Sequence, residues 1–256
     1  MPGDLVLSTS TLLGFLLTLT RVSGVFVFVP LPGLRTGFDA ARIVLSFVLT
    51  MSLFPYWPQV KAGNSIGQLV PWLISEAALG IGIGLAVAFV TEAFSVAAQV
   101  MGLQAGFAFA STVDPTTQAD SSVLVILAQL TTGLLFFATG LDREVLRIFA
   151  VSLTAVPAGS FVITRGAAEH LLSLAGIMFS VGLRLALPVV AVLVMVDISL
   201  ALLGRISAQL QLLTIAFPVK MLVALTILGW VMILMPTILQ TETALTLSAA
   251  KGLLAG

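Results

Sequence analysis

Long apolar runs separated by short polar or proline–glycine breaks set the pattern of this chain. The runs occupy residues 5–29, 43–57, 66–110, 123–140, 145–156, 171–203 and 210–239. A helix rises about 1.5 Å per residue, so roughly 20 apolar residues cross a hydrocarbon core of about 30 Å. All but the shortest run reach or approach that length. None alternates apolar and polar residues with the period of two that barrel strands require, so the predicted elements are helices.

The run lengths are uneven. As one helix, 66–110 would extend about 67 Å, twice a hydrocarbon core. It either turns back near 99–102 or is a long helix not confined to a bilayer. The 171–203 run is also long for one crossing and carries Pro188 near its middle. The 145–156 run is too short to span and reads as a packed or re-entrant segment. Breaks are expected at Pro30-Leu31-Pro32-Gly33, at 55–63, at Asp114-Pro115, at Pro157-Ala158-Gly159 and around Gly204-Arg205, because proline and glycine end helices there. The tail after Thr241 is mildly polar and is expected to lie outside the apolar core.

Composition settles the class. Of 256 residues, 59% are hydrophobic and 9% charged, with a mean hydropathy of +1.18. Soluble domains carry about 25% charged residues because their surfaces must be solvated. So few charges cannot cover a water-facing globule, and the chain reads as an all-α membrane protein. Its 11 basic and 11 acidic residues balance, which leaves no excess for nucleic acid or a polybasic lipid surface. The absence of cysteine excludes disulfides and thiolate metal centres. Asp4 precedes the first run and Arg21 interrupts it, the reverse of a cleavable secretory signal, so the first segment is expected to be retained. Arg35, Arg42, Lys61, Arg143, Arg147, Arg165 and Lys251 do not collect on alternate loops, and charge assigns no orientation.

Arg21, Glu76, Glu92, Arg184, Asp197 and Lys220 interrupt the apolar runs. Each costs about 2.5–3.5 kcal/mol at a bilayer centre, on the order of 15–20 kcal/mol together. They must pair, face a cavity, lie near an interface or meet other protein. One reading is an ion or proton pathway; the other is ion pairing between helices or subunits. Glu76 and Glu92 fall about 160° apart around one helix, and Arg184 and Asp197 about 140° apart, so no pair is preset by local geometry. Gly80 and Gly84, and again Gly102 and Gly106, stand four apart, a spacing that clears one helix face for close backbone packing.

Catalytic chemistry finds little support. The one histidine, His170, follows Glu169 in what reads as a short polar loop, without the clustered partners a metal needs. Gly63-Asn64-Ser65-Ile66-Gly67 matches G-x-S-x-G but follows a proline-rich break between apolar helices instead of a strand. An intramembrane hydrolase built on Ser65 therefore has no second support. No phosphate or dinucleotide fingerprint occurs. Neither an enzyme nor a cofactor is expected.

The most unusual stretch is Gly106-Phe107-Ala108-Phe109-Ala110-Ser111-Thr112-Val113-Asp114-Pro115-Thr116. Small residues permit close approach while Phe107 and Phe109 supply bulk that suits filling a gap. Asp114-Pro115 favours a turn, because proline disfavours helix in the preceding residue. The same residues also suit an ordinary helix end with aromatic packing.

Met101-Gly102-Leu103-Gln104-Ala105-Gly106-Phe107, continuing to Val113-Asp114-Pro115-Thr116, resembles the signature of the FliR/SctT family of type III secretion export-gate subunits. Thr20-Arg21-Val22-Ser23-Gly24 with Val29-Pro30, and then Ala41-Arg42, resemble its first two helices. Leu202-Leu203-Gly204-Arg205-Ile206, Gln209-Leu210 and Ala216-Phe217-Pro218-Val219-Lys220 resemble its late block. Order and spacing hold from about residue 11 to residue 240. Gly140-Leu141-Asp142-Arg143 departs from the family's usual asparagine–glycine–histidine turn, and Ala208 and Ala216 stand where proline and glycine are usual.

The resemblance implies one export-gate domain over 1–256, of long, kinked helices arranged as hairpins. About 1–165 would be FliP-like and about 166–256 a FliQ-like hairpin. It implies a hetero-oligomer with FliP and FliQ, with FlhB and FlhA nearby, in the inner membrane at the flagellar basal body. Part of that assembly would be raised toward the periplasm, meeting lipid, flagellar rod proteins and exported substrates. Residues 106–116 correspond to the plug of the pore, with Phe107, Phe109, Val113 and Pro115 as bulk. Gly106 and Ala110 would be packing or hinge positions, and Ser111, Thr112, Asp114 and Thr116 complete the loop. Arg205 and Lys220 are expected in contacts between subunits. The alternatives are the equivalent injectisome subunit and a secondary transporter with Arg184 and Asp197 at a central site, although the paired halves of such transporters are not visible here.

Overall fold

In a computed structural model, the described residues are 9–31, 39–58, 66–107, 123–206 and 212–255, and among them every regular element is helical. The helices are α1 (Thr9–Phe28), α2 (Ala40–Ser52), α3 (Ile66–Ala105), α4 (Val123–Ala138), α5 (Leu141–Ala155), α6 (Arg165–Ile206) and α7 (Leu212–Ala255), with a 3-10 turn at Phe54–Tyr56. Four of them are long and apolar enough to cross a membrane, over Thr9–Phe28, Gly67–Ala105, Arg165–Arg205 and Ala216–Ile238.

Helix ends differ from the apolar runs because apolarity does not terminate a helix; capping does. α3 is one unbroken helix of 40 residues, about 60 Å long. It does not turn back near 99–102, and it stops at Ala105 instead of Ala110. Gly106 there adopts φ +85°, the Gly106 N–H donates to Leu103 O (3.2 Å) and the Phe107 N–H to Gly102 O (3.0 Å). Those two bonds are the Schellman pattern of a helix stop, which a left-handed glycine makes possible. α6 begins at Arg165, six residues before the apolar run, because Thr164 Oγ1 accepts the Ala167 N–H (3.2 Å) as an N-cap. His170 consequently lies on a helix, exposed, and not in a loop. α7 continues through the polar tail to Ala255. The second run divides where Pro55 follows α2.

The chain forms two compact units. Residues 1–88, 140–174 and 243–256 make the first; 89–139 and 175–242 make the second. In the first unit, α1 and α3 cross at glycines on both helices. A Cβ on Gly24 would stand 2.9 Å from Ile81 N, one on Gly84 would stand 2.6 Å from Val25 O, and one on Gly80 would overlap Arg21 O. Leu17, Val22 and Val25 of α1 and Leu79 and Ile83 of α3 are buried.

α2 is inverted relative to a helix of a soluble protein. Arg42, Ser46 and Thr50 are buried, while Ile43, Val44, Phe47, Val48 and Met51 are exposed. The buried hydroxyls bond their own helix, Ser46 Oγ to Arg42 O (2.8 Å) and Thr50 Oγ1 to Ser46 O (2.7 Å), so the polar stripe presents few unsatisfied groups. The exposed apolar face is what lipid or a protein partner tolerates and water does not.

The core of the second unit joins four helices. Ala97, Ala98, Met101 and Ala105 of α3 meet Leu124, Val125 and Ala128 of α4, Ala186, Val189 and Leu193 of α6, and Ala224 and Leu228 of α7. On α6 and α7 these residues stand at comparable distances from the 207–211 connection, so the two helices form an antiparallel hairpin. Gly182 of α6 sits against the α3 backbone, where a Cβ would be 2.9 Å from Ala93 O.

Candidate functional site

Two polar centres stand inside the apolar helices, one in each unit. In the first unit, Arg21 of α1 and Glu76 of α3 are each 2% exposed and form a forked ion pair. Arg21 Nε donates to Glu76 Oε2 (2.5 Å) and Nη2 to Oε1 (3.0 Å). Nη1 donates to Ser152 O (2.6 Å) and, longer, to Ser152 Oγ (3.4 Å), and Nη2 also to Val156 O (3.2 Å). A guanidinium carries five N–H donors, and all five have an acceptor here. Glu76 Oε1 also accepts the Gly159 N–H (2.9 Å). The centre therefore ties α1, α3, the C-terminal turn of α5 and the turn after it. The Arg21 charge also faces the negative end of the α5 dipole.

Gly159 stands in the left-handed region at φ +74°, with the Trp72 ring occupying the place of a side chain. Gly140 has nearly the same conformation, φ +77°, with open space around it. Gly140→Ala is expected to lose about 1–2 kcal/mol from backbone strain alone. Gly159→Ala should lose measurably more, because Trp72 must also move. Thermal unfolding of both variants in detergent checks the difference.

Arg42, expected beside a connection, is buried on α2. Its Nη1 donates to Phe26 O, to Val29 O (2.8 Å) and, longer, to Val27 O (3.4 Å), covering carbonyls at the C-terminal end of α1 that have no helical donor. Burial lowers its affinity for the proton, and Asp39 opposes that effect.

The second centre lies where α3 ends. Asp197 of α6 pairs through Oδ1 with Lys220 Nζ of α7, and its Oδ2 accepts a hydrogen bond from Gln104 Nε2 of α3 (3.1 Å). Two residues beyond Gln104, Gly106 lies under Phe217, whose ring atoms would be 2.8 Å from an added Cβ. Phe107 packs against the core of the unit. The remaining residues of the expected plug, Phe109, Ala110, Ser111, Thr112, Val113, Asp114, Pro115 and Thr116, lie outside the described residues, as does Ser65.

The other candidate charges are not brought together. Glu92 is half-buried on α3, and Arg184 and Arg205 are exposed on α6. No ion pair among the described residues involves them. Arg184 and Asp197 do not meet; the partner of Asp197 is Lys220. Among the described residues no three His, Asp or Glu side chains gather as metal ligands. Gln104, Ser152, Gly159 and Phe217 carry these centres but had no candidate role beyond motif membership, because their partners lie on other helices.

The family model for bacterial export proteins, family 1, matches residues 12–245. The chain belongs to this family. That match includes both polar centres and the whole of the 106–116 stretch. Among relatives of this export protein, the flagellar biosynthetic protein FliR of Pectobacterium carotovorum is 28% identical over 198 residues, covering 77% of this chain and 76% of the relative. The FliR of Bacillus subtilis is 25% identical over 244 residues, 94% of each chain. The secretion system apparatus protein SsaT of Salmonella typhimurium is 26% identical over 206 residues, covering 77% of this export protein and 80% of that relative.

Proposed function

We propose that this chain is a subunit of the flagellar type III export gate, in the bacterial inner membrane at the basal body, and that residues 106–116 plug its conduit. The observation that carries the reading is the family match over nearly the whole chain, with FliR proteins aligned along up to 94% of its length. The helices agree with it. α3, α6 and α7 have 40, 42 and 44 residues, longer than one bilayer crossing requires, and α2, α6 and α7 leave broad apolar faces exposed. Such faces suit a subunit wrapped by lipid and by other polypeptides.

In this reading the partners are FliP and FliQ, with FlhB and FlhA adjacent, and part of the assembly stands toward the periplasm. Residues 1–165 take the FliP-like role and 166–256 that of a FliQ-like hairpin. The chain has a conduit role and no catalytic one; unfolded flagellar proteins pass and other components supply the energy. A virulence injectisome is the second reading, favoured by the similarity to SsaT.

Co-expression with FliP and FliQ homologues, followed by native mass measurement, tests assembly. A stable mixed complex is expected, and a self-sufficient monomer that moves a small solute rejects the gate. Deleting Ser111 through Thr116 should raise small-solute permeability of membranes holding the assembled complex about tenfold or more, the effect of removing a closed-state contribution of about 1.4 kcal/mol or more. Unchanged permeability at equal complex content counts against the plug.

A further inference from the structure

We propose that Arg184 holds the phosphate of a phospholipid, and that with Glu92 and Trp230 it marks one bilayer surface on the second unit. This needs only that the helices meet lipid, and it stands apart from the gate reading. Arg184 is exposed near the middle of α6, and no ion pair among the described residues involves it.

Contacts within the unit give Arg184 a level. Gly182 of α6 meets Ala93 of α3 and Asp197 meets Gln104, so these helices run parallel and Glu92 lies within about a turn of Arg184 along them. Asp197 also pairs with Lys220 of the antiparallel α7. From that pair, Arg184 stands about 20 Å back along α6 and Trp230 about 15 Å onward along α7. Trp230 is 74% exposed, and Glu92 is half-buried without an ion partner among the described residues. One level thus carries an exposed arginine, an exposed indole and an unpaired carboxylate. A bilayer surface collects that mixture, because indole rings settle among headgroups and charges there keep their water.

The distance to the next exposed charge on α6 fits the same placement. Arg205 lies about 31 Å further along the helix, against a hydrocarbon core of about 30 Å. Between the two arginines α6 exposes Leu187, Met195, Ile198 and Leu202, and its one charge, Asp197, is neutralised by Lys220. The half of α6 before Arg184 instead exposes Glu169 and His170.

A lipid phosphate suits Arg184 better than a partner helix does. A guanidinium among apolar side chains needs an anion, and its fork matches two phosphate oxygens. A facing helix would have to desolvate a carboxylate of its own to supply one. The headgroup phosphate already stands at this depth, and the arginine stem reaches it by lying along the acyl boundary.

The experiment uses the full chain in liposomes of phosphatidylcholine and phosphatidylglycerol. With Trp57→Phe and Trp72→Phe, Trp230 is the sole indole. Lipids brominated near the headgroup end of the acyl chain should quench it about twofold more than lipids brominated near the terminal methyl. Moving the indole to mid-span, by Met195→Trp with Trp230→Phe, should reverse that order. Stronger quenching of Trp230 by the deep bromines overturns the boundary. Absence of lipid quenching also overturns it, and is what a covering protein face would give. The phosphate is tested by binding of short-chain phosphatidylglycerol to the chain in neutral detergent. Arg184→Gln should weaken that binding about fivefold, the contribution of one basic residue at an anionic surface, and Arg184→Lys should stay within about twofold of the unsubstituted chain. Unchanged binding in Arg184→Gln overturns the phosphate contact. If that variant does not fold, an unsubstituted chain that binds phosphatidylglycerol no tighter than a diacylglycerol of the same chain length also overturns it.

Discussion

Glu76→Ala is expected to remove about 3–5 kcal/mol of stability, the largest loss of any single substitution considered for this chain. The carboxylate neutralises a guanidinium that is 2% exposed, and it accepts two of that guanidinium's five hydrogen bonds as well as the Gly159 N–H. Without it, Arg21 keeps its charge, because guanidinium does not deprotonate in proteins, and that charge stays buried without a counter-ion. Glu76→Gln should be less severe, since an amide oxygen still accepts, but it leaves the charge uncompensated. The double variant Arg21→Met with Glu76→Leu should recover part of the loss, because replacing a buried pair by apolar residues is less damaging than breaking it. Recovery should be incomplete, as Val156 O and the Gly159 N–H lose their side-chain partners. Unfolding in detergent of the unsubstituted chain, Arg21→Met, Glu76→Leu and the double variant gives the cycle. A double variant no more stable than Glu76→Ala would mean that the backbone contacts, and not the charges, dominate.

Gly80→Leu should be nearly as damaging. Even one added carbon at Gly80 overlaps Arg21 O, and an added carbon at Gly84 or Gly24 would also stand under 3.0 Å from backbone of the facing helix. Overpacking of a filled interior costs about 1–3 kcal/mol and sometimes more. Here it should exceed that range, because separating α1 from α3 also pulls Arg21 away from Glu76. Gly229→Leu is the control, since that glycine has open space around it. Equal stability of the two leucine variants would remove the close crossing from the account.

Much of the architecture was legible along the chain. Apolar runs without a period of two indicated helices, the scarcity of charge indicated an apolar environment, and glycines four apart at Gly80 and Gly84 marked a face cleared for packing. The helix ends were less legible. Val123–Ala138 and Leu141–Ala155 nearly follow their runs, but α3 stops at a glycine inside its run and α6 starts at a threonine outside one. Hydrophobicity reports where a helix can be buried. Caps depend on backbone hydrogen bonds and decide where it ends.

Motif order pointed to the family, and the match over residues 12–245 established it. Lone charges in apolar runs also announced that partners must exist, because their desolvation is too costly otherwise. Which partners was a different matter. Glu76 lies 55 residues from Arg21, and Asp197 meets Lys220 and Gln104, separations at which no helical periodicity relates one residue to another. The burial of Arg42 had no local signal either, since its acceptors are carbonyls at and just beyond the end of α1. Periodicity acts within one helix and is written in a single segment; an ion pair between helices depends on how those helices pack, and only the folded chain contains that information.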